Sequence, residues 1–282
     1  MKPAAFAYAK ARSLDHAIEL LGGDEGEARV LAGGQSLIAT LNMRLDAPSL
    51  LVDINGVDEL DGIARRDGQV EIGALVRHAE AERSDMIRAQ VPLFARAMPH
   101  IGHPAIRNRG TIGGSIAFAD PAAELPACIL ALDGEIEIAG RQGRRNVAAQ
   151  DFFHGLFETA LARGDVLTAI RVPAATAATR TGFAEFSRRH GDYALVGLAA
   201  SAKADGKRLR DVRLAFFGAG ATPVRGKRAE AALASGSVDD AVAAIDHDLA
   251  PADDVQASGA VKKHLAGVLL RRVAAQLMEH AS

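Results

Sequence analysis

Two glycine pairs in the first half of the chain have the residue types that bind a phosphate through the backbone. The first lies in Ala32-Gly33-Gly34-Gln35-Ser36-Leu37, where a predicted strand runs into the glycines and a predicted helix begins at once. Glycines let the backbone approach a ligand closely, and the free N–H groups at a helix start favour an anion. The segment therefore predicts a pyrophosphate site, but a tight strand-to-helix turn capped by Ser36 explains it equally well. It has neither a P-loop sequence nor a GxGxxG fingerprint.

The second pair, Gly113-Gly114, lies in a segment that reads as a polar loop over residues 102–114 before a helix. Thr111 and Ser115 flank the pair with hydroxyls that can donate to phosphate oxygens. Asp120 and Glu124 follow, and their carboxylates can accept hydrogen bonds from sugar hydroxyls. Two such loops, about eighty residues apart in sequence, could hold one extended dinucleotide from both sides.

Tyr193 is the third candidate, in the segment His190-Gly191-Asp192-Tyr193 before an apolar strand. It is one of two tyrosines in the chain. A planar side chain there could cover the face of a flat cofactor ring. A strand-edge aromatic at a domain interface explains the spacing equally well.

Metal and thiol chemistry receive little support from the sequence. The chain has one cysteine, Cys128, whereas an iron–sulfur cluster needs about four ligands. Cys128 sits in an apolar helical pattern and is predicted to be a small buried side chain. His100 and His103 have no third ligand at useful spacing, so no metal site is predicted.

The elements that must position these residues fall into two blocks. Helices at 13–21 and 36–44 alternate with strands at 29–32 and 50–54, and 174–179 is predicted as a linker. Beyond it, strands at 182–188, 196–204 and 209–217 form a meander, with Asp205-Gly206 as a hairpin turn, before a run of helices. Between residue 55 and the linker, the pattern predicts strands at 69–74 and 135–139, another strand ending at 173, and helices at 78–84, 91–98 and 122–132. This order indicates an α+β protein of two domains, divided near residue 175.

Composition excludes several classes of function. Hydrophobic residues make up 49% and charged residues 24% of the 282 residues, and the formal net charge is −2. That balance gives no basic surface for nucleic acid. No apolar run reaches the roughly 18 residues of a membrane-spanning helix, and no signal peptide is visible. The predicted location is the cytoplasm.

Three ordered motifs resemble the FAD-binding medium subunit of the molybdenum hydroxylases, the xanthine dehydrogenase and carbon monoxide dehydrogenase family. They are Ala32-Gly33-Gly34-Gln35-Ser36-Leu37, Thr111-Ile112-Gly113-Gly114-Ser115 and Ala119-Asp120-Pro121-Ala122-Ala123-Glu124. The resemblance covers essentially the whole chain and includes Asp165-Val166-Leu167-Thr168 and Gly191-Asp192-Tyr193-Ala194.

The resemblance implies a vanillyl-alcohol-oxidase-type (PCMH-type) FAD-binding domain over residues 1–175. This domain would consist of two α+β subdomains, at about 1–55 and 56–175. A smaller C-terminal α+β domain, an antiparallel sheet with helices, would occupy residues 179–282.

Site residues carry over position by position. The first loop would hold the pyrophosphate of FAD. Thr111 to Ser115 would hold the pyrophosphate and the ribityl chain from the other side, and Asp120 and Glu124 would bind the sugar and ribityl hydroxyls. Tyr193 would lie near the isoalloxazine ring and control acceptor access. The full implied FAD-binding set is Ala32, Gly33, Gly34, Gln35, Ser36, Leu37, Ile101, Gly102, Thr111, Gly114, Ser115, Asp120, Glu124, Leu167, Arg188 and Tyr193. The sequence departs from the residues common in the family at three positions, Gln35, Ser115 and Phe118. At the position of Phe118 the common residue is polar, so this chain lacks a polar side chain there.

The implied function is electron transfer within a heteromeric hydroxylase. Electrons would come from 2Fe–2S clusters on a small subunit, after substrate oxidation at a molybdenum–pterin centre on a large subunit, in a dimer of heterotrimers. A stand-alone FAD oxidoreductase of the same fold and a non-catalytic nucleotide-binding protein are the alternatives. The sequence does not predict the substrate of the complex. It also does not distinguish NAD, a quinone or oxygen as the electron acceptor.

Overall fold

The N-terminal sheet is built from short strands that alternate with helices along the chain, as the sequence pattern predicts. The computed structural model describes residues 2–23 and 27–279. β1 (Ala7–Lys10) and β2 (Ala28–Leu31) both pair in parallel with the central β3 (Leu50–Asp53). α1 (Leu14–Gly23) connects β1 to β2, and α2 (Leu37–Asn42) follows β2. Because β2 and β3 are parallel neighbours, the residues that follow them lie at the same sheet edge.

The second unit is an antiparallel five-stranded sheet with its helices. Its strand order is β4-β5-β10-β6-β7. The strands are β4 (Ile63–Arg66), β5 (Gln69–Gly73), β6 (Glu135–Gly140), β7 (Gly143–Ala148) and β10 (Val166–Pro173), with a separate hairpin of β8 (Phe153–Gly155) and β9 (Glu158–Thr159). The helices are α3 (His78–Arg83), α4 (Asp85–Gln90), α5 (Pro92–Ala97), α6 (Pro104–Arg107), α7 (Ile112–Phe118) and α8 (Glu124–Ala131).

The core of this unit lies between the sheet and the helices. Apolar side chains alternate along β5 and β6, so that Val70, Ile72, Ile136 and Ile138 are fully buried. α8 is buried along its whole length, and the Cys128 side chain has no exposed surface. A helix buried on all sides lies between two layers, and α8 also contacts the C-terminal sheet.

The C-terminal unit is the predicted meander followed by helices. Its sheet order is β11-β12-β13-β14, with every neighbouring pair antiparallel. The elements are β11 (Thr179–Ser187), β12 (Ala194–Asp205), β13 (Arg208–Phe217), β14 (Val224–Arg225), α9 (Lys227–Ser235), α10 (Val238–Asp248) and α11 (Gly259–Met278). β12 ends at Asp205 and Gly206 has φ +60°, which confirms the hairpin turn. No described helix is long and apolar enough to cross a membrane.

One sequence-based expectation is wrong, because the polar stretch at 102–114 is not a loop. It contains α6 and the start of α7. Pro104 at the first position of α6 favours a helix start, and Thr111 caps α7 through its side chain. The glycine pair therefore lies inside the first turn of a helix, which changes what its backbone can offer a ligand.

Candidate functional site

The loop after β2 presents unpaired backbone donors. Within the part of the chain that the structure describes, no acceptor is found for the N–H groups of Gly33, Gly34, Gln35 and Ser36. Ser36 occupies the cap position of α2 but makes no capping bond through its side chain. Because α2 is only six residues long, the donors themselves, more than a helix dipole, are what this loop offers to an anion.

Gly33 brings this loop against the second one. It is buried, and a Cβ at this position would lie 2.2 Å from the carbonyl oxygen of Arg109 and 2.9 Å from the Gly110 Cα. Those neighbours are backbone atoms, which cannot move aside as a flexible side chain can. The two predicted loops are therefore packed side by side, and only glycine fits at the contact.

Asn55 and Arg77 tie the two loops together, and neither was predicted from the sequence. Asn55 Nδ2 donates to the Ala32 carbonyl (2.8 Å), and Arg77 Nη2 donates to Asn55 Oδ1 (2.6 Å). Arg77 Nη1 donates to the carbonyl of Arg109. Burial, followed by the nearby Arg109 charge, lowers the pKa of Arg77. The sequence does contain a feature from which the role of Asn55 could have been predicted. Asn55 follows β3 at the same sheet edge where Ala32 follows β2.

The segment around the second glycine pair, residues 110–115, forms the cap and the first turn of α7 and is called the second loop. Its backbone N–H donors bind acceptors within the protein. The Gly113 N–H donates to the Ala74 carbonyl (2.9 Å), the Gly114 N–H to Thr111 Oγ1 (3.1 Å), and the Ser115 N–H to the Thr111 carbonyl (3.1 Å). Thr111 Oγ1 accepts in the cap and still has its own proton to donate. Side-chain hydroxyls, and not backbone N–H groups, are therefore what this loop can give to a phosphate.

His78 supports the second loop from behind. Its Nε2 lies 2.9 Å from the Thr111 carbonyl oxygen, to which it donates, and its backbone N–H donates to the Gly110 carbonyl (2.9 Å). Burial lowers the pKa of His78 from 6.5 to about 4. The imidazole is therefore neutral at physiological pH and acts as a hydrogen-bonding support.

Asp120 and Glu124 lie together where α7 leads into α8. Asp120 Oδ1 accepts from the Ala122 N–H (2.9 Å), and burial raises the Asp120 pKa. Glu124 is 7% exposed, and its pKa is raised to about 8, first by burial and then by the charge of Glu185. At neutral pH Glu124 is mainly protonated, so it can donate a hydrogen bond as well as accept one.

A cavity of about 360 Å³ opens beside Asp120 at the boundary with the C-terminal unit. It is lined by Asp120, Pro121, Ala122, Leu156, Phe157, Tyr193, Ala194, Leu195, Gly218, Gly220, Asp254, Gln256 and Lys262. The Tyr193 side chain is largely exposed, and Phe118 packs edge-on against Phe157 with ring centroids 5.2 Å apart. Phe118 therefore packs against Phe157, which lines the cavity.

A close backbone contact fixes the turn that carries Tyr193. Gly191 has φ +80°, and a Cβ there would lie 2.4 Å from the Gly102 carbonyl oxygen. Arg107 holds that segment by donating to the carbonyls of both Ile101 and Gly102, each at 3.2 Å. The structure thus brings Ile101 and Gly102 next to the Tyr193 turn.

Two predicted residues do not line this cavity, although Arg188 contacts Gln256, which does. Leu167 is 5% exposed and packs in the core of the five-stranded sheet. Arg188 is exposed and donates to the Gln256 carbonyl at 3.4 Å. Roles for Leu167 and Arg188 at the cofactor stay predictions.

N–H donors that have no acceptor among the described residues lie beside the hydroxyl-bearing segment at Thr111 and Ser115, an arrangement that suits the phosphates of a nucleotide cofactor. Residues 4–175 match the family model of the FAD binding domain in molybdopterin dehydrogenase. Residues 181–277 match that of the CO dehydrogenase flavoprotein C-terminal domain. The chain therefore belongs to the FAD-binding medium subunits of the molybdenum hydroxylase family.

Individual members of the family are similar to this chain over nearly its full length. The chain is 38% identical over 288 residues to the alpha subunit of the 6-hydroxypseudooxynicotine dehydrogenase complex of Paenarthrobacter nicotinovorans, covering 100% of this chain and 97% of that one. It is 34% identical to the carbon monoxide dehydrogenase medium chain of Hydrogenophaga pseudoflava, covering 96% of each. A solved carbon monoxide dehydrogenase from the same organism superposes with a TM-score of 0.97 over 100% of both chains at 34% identity. The predicted family, α+β fold, FAD cofactor and oxidoreductase class are confirmed.

Proposed function

We propose that this chain carries electrons through one bound FAD, from 2Fe–2S clusters on a small partner subunit to an external acceptor. A large subunit would hold the molybdenum–pterin centre, and the whole would assemble as a dimer of heterotrimers. The observation that supports this most is the row of N–H groups at 33–36 that have no acceptor among the described residues, in a segment packed against Arg109 and Gly110, in a chain of this family. The single cysteine cannot hold a cluster, which is consistent with clusters on a partner.

The residues present fit FAD at the first domain. The N–H groups at 33–36 and the Thr111 hydroxyl would bind the pyrophosphate, because both kinds of donor suit anionic oxygens. Gly114 and Ser115 lie in the same turn, half-buried. Asp120 and Glu124 would bind the ribityl hydroxyls, where a protonated Glu124 can donate and an ionised Asp120 can accept.

Tyr193, Ile101 and Gly102 would surround the ring of the cofactor. Bound FAD would supply a carrier that takes up two electrons and passes them on. The chain's own contribution is to fix the ring between the 101–102 segment and the Tyr193 turn, and to limit access to it.

We also propose that the chain divides near residue 175 into the FAD-binding and C-terminal domains; the outer limits, residues 1 and 282, lie outside the described part. A cytoplasmic location stays a prediction.

Affinity capture of the tagged chain from its native source tests the assembly. The captured material should contain two further polypeptides, together with molybdenum and iron in proportion to flavin. A stand-alone FAD oxidoreductase would instead be captured alone, and substrate would bleach its flavin without any partner. A colourless chain without affinity for FAD would refute the assignment altogether.

Tyr193→Ala tests the control of acceptor access. Its exposed side chain lines the cavity and makes no side-chain hydrogen bond among the described residues. We expect flavin content within about twofold of wild type and a change of about tenfold in the rate of acceptor reduction, because the ring face becomes open. Stopped-flow reoxidation measures the rate, and Tyr193→Phe is the matched control that keeps the ring. Complete loss of FAD from Tyr193→Ala would contradict the proposal.

A further inference from the structure

Arg107 is a cationic side chain buried at the end of α6. The residue is 8% exposed, and its Nε donates to Glu82 Oε2 at 2.8 Å. A guanidinium loses its hydration on burial, which costs free energy unless the charge is paired and its N–H groups find acceptors. Because Glu82 on α3 provides the pairing through Nε, the other nitrogen atoms of Arg107 can be directed to the backbone.

Two consecutive backbone carbonyls accept from the same nitrogen of Arg107. Its Nη1 donates to the carbonyls of Ile101 and Gly102, each at 3.2 Å. Gly102 has φ +53°, a left-handed conformation that glycine adopts without steric cost, and a Cβ there would lie 3.1 Å from the Ile106 side chain. A planar guanidinium donates in several fixed directions at once, whereas a lysine ammonium is a single flexible donor group. Arg107 therefore fixes the geometry of these two carbonyls.

The Gly102 carbonyl that Arg107 holds is also the point of contact with the Tyr193 turn (residues 190–193). A Cβ on Gly191 would lie 2.4 Å from the Gly102 carbonyl oxygen and 2.8 Å from the carbonyl carbon. Both sides of this contact are backbone, which cannot move aside as the end of a flexible side chain can. A displacement of the Gly102 carbonyl must therefore be followed by Gly191, two residues before Tyr193.

A second contact joins the same two parts of the chain. The His100 ring lies edge-on to the His190 ring with centroids 5.7 Å apart, and its centroid is 5.0 Å from that of the Phe183 ring on β11. His100 directly precedes Ile101, and His190 directly precedes Gly191. The ring contact thus flanks the backbone contact, and the two together fix the orientation of the turn as well as its distance.

We propose that Arg107 is a positioning residue for electron transfer: by holding the 101–102 segment, it sets the position of Tyr193 against the flavin ring. This rests on the proposed function, in which the ring lies between that segment and the Tyr193 turn. Arg107 would act through the Gly102 carbonyl and Gly191. When its hold is weakened, the segment and the turn shift together, and the access to the ring that Tyr193 limits is altered.

Arg107→Lys tests this role in the full chain loaded with FAD. Lysine keeps the charge but cannot hold Glu82 and both carbonyls at once. Reoxidation of the reduced flavin by dichlorophenolindophenol, followed by stopped flow, should change about fivefold in the same direction as in Tyr193→Ala, with FAD content within about twofold of wild type. The visible circular dichroism of the flavin should also change, because it reports the surroundings of the ring. Arg88→Lys is the matched control, since it alters an exposed ion pair with Asp85 on α4, and it should behave as wild type.

The double variant, Arg107→Lys with Tyr193→Ala, distinguishes positioning from a general loss of structure. Since Arg107 acts through Tyr193, the double variant should reoxidise at the rate of Tyr193→Ala alone, because no side chain is left to be positioned. A merely structural role would give two independent effects that multiply. Such multiplication, or a wild-type rate and dichroism in Arg107→Lys, would overturn the inference.

Glu82→Gln is the second variant, because it loosens the same guanidinium without removing it. It should change the reoxidation rate by about twofold in the same direction, and it keeps the test decisive where thermal unfolding shows that Arg107→Lys is not folded. Loss of FAD from a folded Arg107→Lys would assign Arg107 to cofactor binding and not to positioning. Failure of the wild-type chain to bind FAD would instead refute the proposed function.

Discussion

At residues 33–36 the backbone N–H groups have no acceptor among the described residues, whereas at 113–115 each N–H donates to an acceptor inside the protein. Both segments contain a glycine pair followed within two residues by a serine, and both stand at the start of a helix. The first follows a parallel strand and leads into a helix without a side-chain cap. The second is capped by Thr111 and pairs with the strand-end residues 74–78.

The difference shows that a glycine pair can serve two purposes. In the first loop, glycine allows close approach and leaves donors free for a ligand. In the second loop, Gly113 lies where a Cβ would be 2.5 Å from the Ala74 Cβ, so glycine there serves the packing of α7 on the sheet. A ligand held between them would meet backbone on one side and hydroxyls on the other.

Gly33→Ala should produce the largest effect on this comparison. The added Cβ must displace the Arg109–Gly110 backbone, which misaligns the free donors of the first loop. Loss of two charge-assisted hydrogen bonds, each about 1.5–3 kcal/mol, predicts at least about 100-fold weaker FAD binding. Calorimetric titration of the apoprotein measures this. Gly23→Ala, whose added Cβ would have no described atom within 4 Å, should bind normally; equal weakening in both variants would disprove the role of the contact.

Acid should weaken the second loop through His78. Its pKa is about 4 in the folded chain against an ordinary 6.5, so the unfolded chain binds more protons between these values. The free energy of unfolding therefore rises with pH through this window. The contribution of His78 to it is fully present above about pH 6.5, and acidification lowers the free energy of unfolding by roughly 2–3 kcal/mol. Urea unfolding from pH 4 to 7 measures it.

His78→Gln is the comparison that isolates this effect. Gln cannot take up the proton but can still donate to the Thr111 carbonyl, so its acid dependence should be shallower than that of the wild type. The comparison is needed because Glu124, with a folded pKa of about 8 against 4.5, has the opposite sign: its contribution is complete below about 4.5 and is lost as pH rises through about 8. Parallel curves for wild type and His78→Gln would exclude His78 as the cause.

Thr111→Val should affect both stability and binding, by smaller amounts. Valine removes the cap of α7, worth about 1 kcal/mol, and the hydroxyl that remains free to donate. We expect FAD binding weakened by about tenfold. Thr111→Ser retains both functions and should remain within about threefold of wild type. Should the valine variant bind FAD as tightly as the serine variant, the second loop would contribute no donor.

Gln35→Ala should have the smallest effect. The Gln35 side chain donates to the Gly33 carbonyl at 3.1 Å and therefore supports the loop's shape, while its own backbone N–H stays available. Loss of one neutral, partly exposed hydrogen bond predicts FAD binding weakened by less than about fivefold. A loss as large as that of Gly33→Ala would mean that the side chain, and not the backbone, binds the ligand.

Local pattern was sufficient for most of the regular elements. The meander with its turn at Gly206, the helices that follow it and the strands at 69–73 and 135–140 follow from short-range periodicity and turn chemistry. The helices in the stretch at 102–114 were missed because they are short, and because Pro104, which begins α6, and Thr111, which caps α7, are also common in loops. Short helices are stabilised by their tertiary contacts more than by their own propensity.

The sequence by itself determined the family, the α+β fold, the FAD cofactor and the presence of two glycine pairs, because those depend on residue types and their order along the chain. Tertiary structure alone decided which loop keeps its donors free, since Ala74 and Thr111 satisfy one set and nothing described satisfies the other. It also decided that Asn55 and Arg77 join the two glycine segments. Hydrogen-bond partners and burial arise between residues distant in sequence, and no local pattern contains them.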